Sequence, residues 1–354
     1  MRRTLALAVA AAMLAVFSSA SATQITPTLL VGGAIDQFQP TINATYVAWS
    51  QNSQRNTRRY NDFYETLPVG SGSPVQMNPS TTYAFVPSFD GDGNVAVLQI
   101  LHRHSSSEAD VLLYNLTTHA TGPPPAGVNS GHWEWFPTMA QGFIEFGRNR
   151  FNSRNSPWDV MLYDPNTTST SVLATEPYSC QCIYPGQVST AYATWTDCPR
   201  RCDAYYYTYA DASTHRIPNP RKDAQYLPSV NAATQTLYYV RAGGSCGQDV
   251  KIMRWTIGDA NPTVVASLPS GYDVNWRTFD YVDGSANDNI VFDRVRCGGN
   301  YYSDVYEVAG ANTASPTLLR VGSASTPPSG HVAGSGSVAG SRPNWLGQGA
   351  TGPK

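Results

Sequence analysis

Six aspartates, each standing before an apolar run, divide the chain at nearly regular intervals. They are Asp62-Phe-Tyr, Asp110-Val-Leu-Leu-Tyr, Asp159-Val-Met-Leu-Tyr, Asp203-Ala-Tyr-Tyr-Tyr, Asp249-Val-Lys-Ile and Asp304-Val-Tyr, separated by 48, 49, 44, 46 and 55 residues. Upstream of five of them a proline keeps the same beat: Pro40, Pro87, Pro137, Pro185 and Pro228, with Phe279-Asp280 in that place in the sixth. Between proline and aspartate lies a short apolar strand, as in Leu237–Val240. A unit of this size made of short strands cannot bury its own faces and must stack on its neighbours, which predicts a β-propeller. The copy number predicts six four-stranded antiparallel blades starting near residues 36, 83, 133, 181, 224 and 274. No helical period is present.

The ends of the chain read differently. Arg2 and Arg3, the apolar run Leu5–Phe17 and the small residues Ala20-Ser21-Ala22 form the pattern of a secretory signal peptide over 1–22. The expected address is secreted or periplasmic, with neither a lipid anchor nor a membrane span. Residues 26–33 look like the last strand of a blade with no blade before them, so the propeller of residues 23–322 is expected to close its ring with an amino-terminal strand. Closure of that kind removes free sheet edges. Gly, Ser and Pro dominate 323–354, predicting a disordered tail.

Charge narrows the partners. A net charge of −2 with only 14% charged residues excludes the strongly basic surface of a nucleic-acid binder. The expected partner is a protein or an acidic glycan, bound by a monomer. Six cysteines in an exported chain are expected as disulfides: Cys180, Cys182, Cys198, Cys202, Cys246 and Cys297. Cys198 with Cys202, either of these with Cys180 or Cys182, and Cys246 with Cys297 are all open pairings.

Several stretches resemble one family. The prolines of the leading strands, Ser88-Phe-Asp-Gly-Asp-Gly-Asn-Val-Ala-Val97 with its Asp-Gly hairpin signal, Arg241-Ala-Gly-Gly and the recurrent Asp-Val or Asp-Ala before an aromatic are similar to TolB-type β-propeller repeats. The resemblance spans roughly residues 36–322. It implies the propeller fold; repeats of this type serve transport-system components, peptidase propeller domains and some polysaccharide lyases.

If the strands of each blade run a, b, c, d from the centre outward, the b–c loops and the d-to-a connections share one face. Twelve arginines fall in the b–c loops, from Arg55 in the first blade to Arg296 in the last, of 23 Lys and Arg in the chain. Arginine forks grip carboxylates and sulfates, and aromatic rings stack on sugars. Arg55, Arg150, Arg154, Arg200, Trp133 and Trp135 are therefore the candidate ligand residues, although a loop arginine next to its recurrent Asp can instead hold the corner together. No catalytic motif is present, so a non-catalytic binding or scaffold protein without a cofactor is expected. His102, His104 and His132, near Glu134, loosely resemble the histidines with which some propeller lyases hold a metal. A metal-assisted lyase or hydrolase using a divalent ion is thus one alternative, and a structural envelope protein without a small ligand is another.

Overall fold

A computed structural model describes residues 37–42, 46–51, 62–66, 75–79, 82–90, 94–102, 109–151, 156–176, 182–244, 247–274, 290–297, 303–309 and 317–322. The expected signal peptide, residues 26–33 and the tail lie outside these. Every repeat forms one antiparallel sheet whose strands neighbour each other in chain order, and the described residues hold six such sheets.

The first sheet contains β1 Gln37–Ile42, β2 Val47–Gln51, β3 Asp62–Thr66 and β4 Val75–Gln76. The second has β5 Thr82–Phe89, β6 Val95–His102, β7 Ala109–Asn115 and β8 Thr121–Gly122. The third has β9 Glu134–Ala140, β10 Phe143–Asn149, β11 Trp158–Asp164 and β12 Ser169–Thr175. The fourth has β13 Ile183–Pro185, β14 Tyr192–Asp197, β15 Asp203–Thr208 and β16 Ser213–Arg216. In the fifth are β17 Ala224–Asn231, β18 Thr236–Ala242, β19 Lys251–Thr256 and β20 Thr263–Ser267. The sixth is built from β21 Tyr272–Val274, β22 Ile290–Arg296, β23 Ser303–Ala309 and β24 Thr317–Gly322. Its fourth strand comes from its own repeat, so the sheet reaches four strands without the amino-terminal strand expected to close the ring.

Leading strands of successive sheets pack on one another, β1 on β5, β5 on β9 and β9 on β13, and β1 also lies against β22. The last sheet is thereby brought to the first, which is the arrangement of a β-propeller. Burial falls outward along the third, fourth and fifth sheets. β9 and β17 are buried almost throughout, whereas β12 and β16 have no fully buried residue.

The regular prolines have a geometric reason. Proline lacks the N–H a ladder needs, so it belongs at a sheet edge or a bulge. Register shifts interrupt β1 between Phe38 and Thr41, β5 between Phe85 and Ser88, and β17 between Tyr226 and Ser229, and these intervals hold Pro40, Pro87 and Pro228. In β9 the interruption falls between Trp135 and Thr138, around Pro137. Phe136 and Leu227, each just ahead of its proline, adopt φ of 58° and 54°. The amides so displaced find partners on the preceding sheet. Phe136 N donates to Gln99 Oε1 at 2.9 Å, and Leu227 N donates to Thr196 Oγ1 at 3.0 Å.

The recurrent aspartates also take a constant place. Asp62 and Asp203 open β3 and β15, while Asp110, Asp159 and Asp304 stand second in β7, β11 and β23. Asp249 departs from this, lying two residues ahead of β19 with a φ of 48°.

Candidate functional site

In the third, fourth and fifth sheets the described ends of the b–c loops meet the d-to-a connections, and the contacts there show what holds them. In the third sheet Arg148, near the end of β10, reaches the connection before β9. Its guanidinium donates to the carbonyls of Gly127 at 2.8 Å and Val128 at 2.7 Å, and to Glu134 Oε1 at 3.0 Å. Glu134 is fully buried and also accepts from Ser130 Oγ at 2.6 Å. Burial pushes its carboxyl above the usual carboxylate range, against the opposing pull of Ser130 and Arg148.

Arg150 is held at the same corner. Its Nε and Nη2 donate to Asp159 Oδ1 at 2.9 and 2.8 Å, and Nη2 donates to the Glu176 carbonyl at 3.0 Å. This is a bond between a loop arginine and its recurrent Asp. The fully buried Glu176 side chain accepts from Trp158 N at 2.9 Å and from Cys182 N at 2.7 Å, joining the third sheet to the start of the fourth.

In the fourth sheet Asp203 receives Arg216 at 2.6 Å and lies 3.7 Å from Arg201, whose Nη1 also donates to the Lys222 carbonyl. Arg200 is exposed and forms no ion pair among the described residues. In the fifth sheet Asp249 pairs with Lys251 at 2.6 Å, and Arg241 lies 3.4 Å from Asp223 in the connection before β17. A cleft of about 280 Å³ opens beside these groups, bounded by the connection from β16 to β17 and by β18, β19 and β20. Arg221, Arg241 and Lys251 line it. Counting cations in the b–c loops alone passes over Arg221; counting those in the d-to-a connections finds it.

Trp133 and Trp135, expected to face ligand, are instead buried in the largest core cluster. Trp135 stacks on Trp158 with ring centroids 5.9 Å apart and planes 9° apart, and Trp133 meets it edge-on at 6.0 Å. Leading strands carry the side chains that fill the space between sheets, so their aromatics pack there.

Of the histidine set, His132 is exposed and His102 ends β6, while His104 lies outside the described residues, as do Arg55 and Arg154. No group of three or more metal-ligating side chains converges among the described residues. Ser213 Oγ lies 2.6 Å from His215 Nε2 and 2.7 Å from Asp211 Oδ1. The hydroxyl stands between base and acid there, whereas an activated serine needs the carboxylate on the far side of the imidazole.

Cys198 and Cys202 form a disulfide across the β14–β15 loop. Cys182 and Cys297 are also disulfide-bonded; Cys180 and Cys246 lie outside the described residues. The bonds fit a chain that folds in an oxidising compartment. Cys182, Cys198 and Cys202 share the face: Cys198 N donates to the Cys182 carbonyl at 2.8 Å, and Gln225 N to the Cys202 carbonyl at 2.8 Å. Among the described residues no helix is long and apolar enough to cross a membrane.

No family model and no curated protein matches the chain. Solved structures do match. An oligogalacturonate lyase from Vibrio parahaemolyticus is similar with a TM-score of 0.55 and 11% identity, over 86% of this chain and 84% of the lyase. A puromycin-hydrolysing peptidase of Mycobacterium tuberculosis gives a TM-score of 0.51 and 10% identity, over 84% of this chain and 55% of the peptidase. TolB from Acinetobacter baumannii gives 0.47 and 11%, over 78% of this chain, which spans 65% of that protein's length. At such identities the likeness is one of fold, and the fold is a β-propeller.

Proposed function

We propose that this chain is an exported β-propeller acting as a non-catalytic binding or scaffold module, which takes an anionic glycan or peptide on the face where the b–c loops and d-to-a connections meet. The observation that carries the reading is the gathering of cations there. Arg148, Arg150, Arg200, Arg201, Arg221 and Arg241 all stand in those loops or at the strand ends beside them. Arg150 and Arg241 answer carboxylates of the protein, whereas Arg200 and Arg221 form no ion pair among the described residues. Arg55 and Arg154 are assigned to the same ligand-facing set from their place in the b–c loops. Export rests on the leading segment of the sequence and is supported by the disulfides.

Calorimetric titration with polygalacturonate and with poly-glutamate tests it. Binding that weakens with added salt and falls in an Arg154→Ala/Arg200→Ala double variant is expected. Absence of binding to either polymer at low ionic strength overturns the reading. Turnover of polysaccharide or peptide, abolished in His104→Ala, would replace it with the metal-assisted lyase or hydrolase reading.

A further inference from the structure

The loop between β14 and β15 is a closed ring. Cys198-Pro199-Arg200-Arg201-Cys202 is sealed by the disulfide, and Pro199 fixes its own φ within it. Both ends of the ring are tied to neighbouring segments. Cys198 N donates to the Cys182 carbonyl ahead of β13, and the Cys202 carbonyl accepts from Gln225 N in β17. Arg201 adds a further tie through the Lys222 carbonyl and Asp203. Arg200 is not engaged in this way: it is exposed and forms no ion pair among the described residues.

A carboxylate lies at the foot of the same loop. Asp197 and Asp203 face each other in the ladder where the ring begins and ends. Asp203 receives Arg216 at 2.6 Å and Asn219 Nδ2 at 3.2 Å, whereas Asp197 forms no ion pair among the described residues. Burial, and then Asp203 opposite, push the Asp197 carboxyl above its usual range, a state that a guanidinium alongside would relieve. An arginine on an unconstrained loop of this length can swing back to such a carboxylate, as Arg150 does to Asp159 in the third sheet. From these features we infer that the disulfide ring is a positioning device: it holds Arg200 off Asp197 and keeps its guanidinium open to an anionic ligand. A site organised before the ligand arrives avoids the cost of ordering the loop on binding. The inference rests on the anion-binding reading above and adds how one cation of that face is kept available.

Titration calorimetry with polygalacturonate and with poly-glutamate at low ionic strength, on the oxidised full chain and its variants, tests it. Cys198→Ser/Cys202→Ser should bind about fivefold more weakly than wild type, and adding Asp197→Asn should restore the affinity. With the ring intact, Asp197→Asn should change binding by less than about twofold, which separates release of Arg200 from a mere gain in positive charge. Arg200→Ala should weaken binding about fivefold in the intact ring and no further once the ring is open. Pro199→Gly loosens the ring without opening it and gives the same test should the serine variant fail to fold. It should bind about twofold more weakly, with recovery on adding Asp197→Asn. Unchanged affinity in the loosened or opened ring, no recovery with Asp197→Asn, or an equal gain from Asp197→Asn in the intact ring each overturns the proposal. Those outcomes leave the wider anion-binding face standing. Wild-type protein that binds neither polymer overturns both readings.

Discussion

Phe136 and Gln99 are joined across two sheets: the Phe136 amide, turned out of its own ladder by the bulge at Pro137, donates to Gln99 Oε1 at 2.9 Å. Thr196 plays the same part for Leu227 at 3.0 Å. Both acceptors are almost fully buried. Replacing either by an apolar residue of similar size leaves a buried N–H unpaired, which costs about 1–3 kcal/mol. Gln99→Leu and Thr196→Val should each lower the unfolding free energy measured by urea denaturation by that amount, whereas substitution of an exposed polar residue on β16 should not.

A second prediction concerns pH. Tyr226 donates to Asp273 Oδ1 at 2.5 Å between the leading strands of the fifth and sixth sheets. Burial raises the Asp273 carboxyl above its ordinary range and outweighs the hydrogen bonds from Tyr226, Val274 and Gly247 that pull it down. A carboxyl whose folded-state pKa is raised contributes stability that is fully present below its unfolded value, about 3.9, and lost as pH rises through the folded value. Denaturation of the wild type should show this loss above about pH 4, and Asp273→Asn should flatten that part of the profile.

Arg150 and Arg200 separate support from recognition. Arg150→Ala removes a bidentate pair that is 30% exposed on the arginine side, so its cost is discounted for solvent to about 1 kcal/mol. Arg200→Ala should leave stability within about 0.5 kcal/mol and reduce only the binding of acidic polymers. A stability loss in Arg200→Ala as large as that in Arg150→Ala would contradict the assignment.

The Cys198–Cys202 disulfide closes a short loop, with a sequence separation of 4. Chain entropy for such a loop amounts to about 2 kcal/mol. Cys198→Ser/Cys202→Ser should lose about that much by chemical denaturation, with the circular dichroism of the strands retained.

Much of the architecture is legible in the spacing of the aspartates and prolines, because each proline must lie where a strand can forgo an N–H, and four of them fall within register shifts. The face shared by the b–c loops and d-to-a connections follows from meander geometry alone. The destination of individual side chains does not. Trp133 and Trp135 look alike whether they stack on a ligand or on Trp158, since both uses want a flat apolar ring. Arg150 answers the recurrent Asp of its own repeat, a pairing visible in sequence. Arg148 and Arg241 instead answer Glu134, which opens β9 of the same sheet, and Asp223, in the connection before β17, and no local spacing announces that. The cleft is more distant still, being assembled from the connection before the fifth sheet and the strands of that sheet.

Glu176 carries a consequence for how the molecule comes apart. One carboxylate accepts amides from Trp158 and Cys182, on either side of the passage from the third sheet to the fourth. Separating these sheets would break both sides of this shared buried contact together, so they should open in native-state hydrogen exchange as a single cooperative unit. The propeller would then fray elsewhere first, keeping this pair of blades as its last intact fragment.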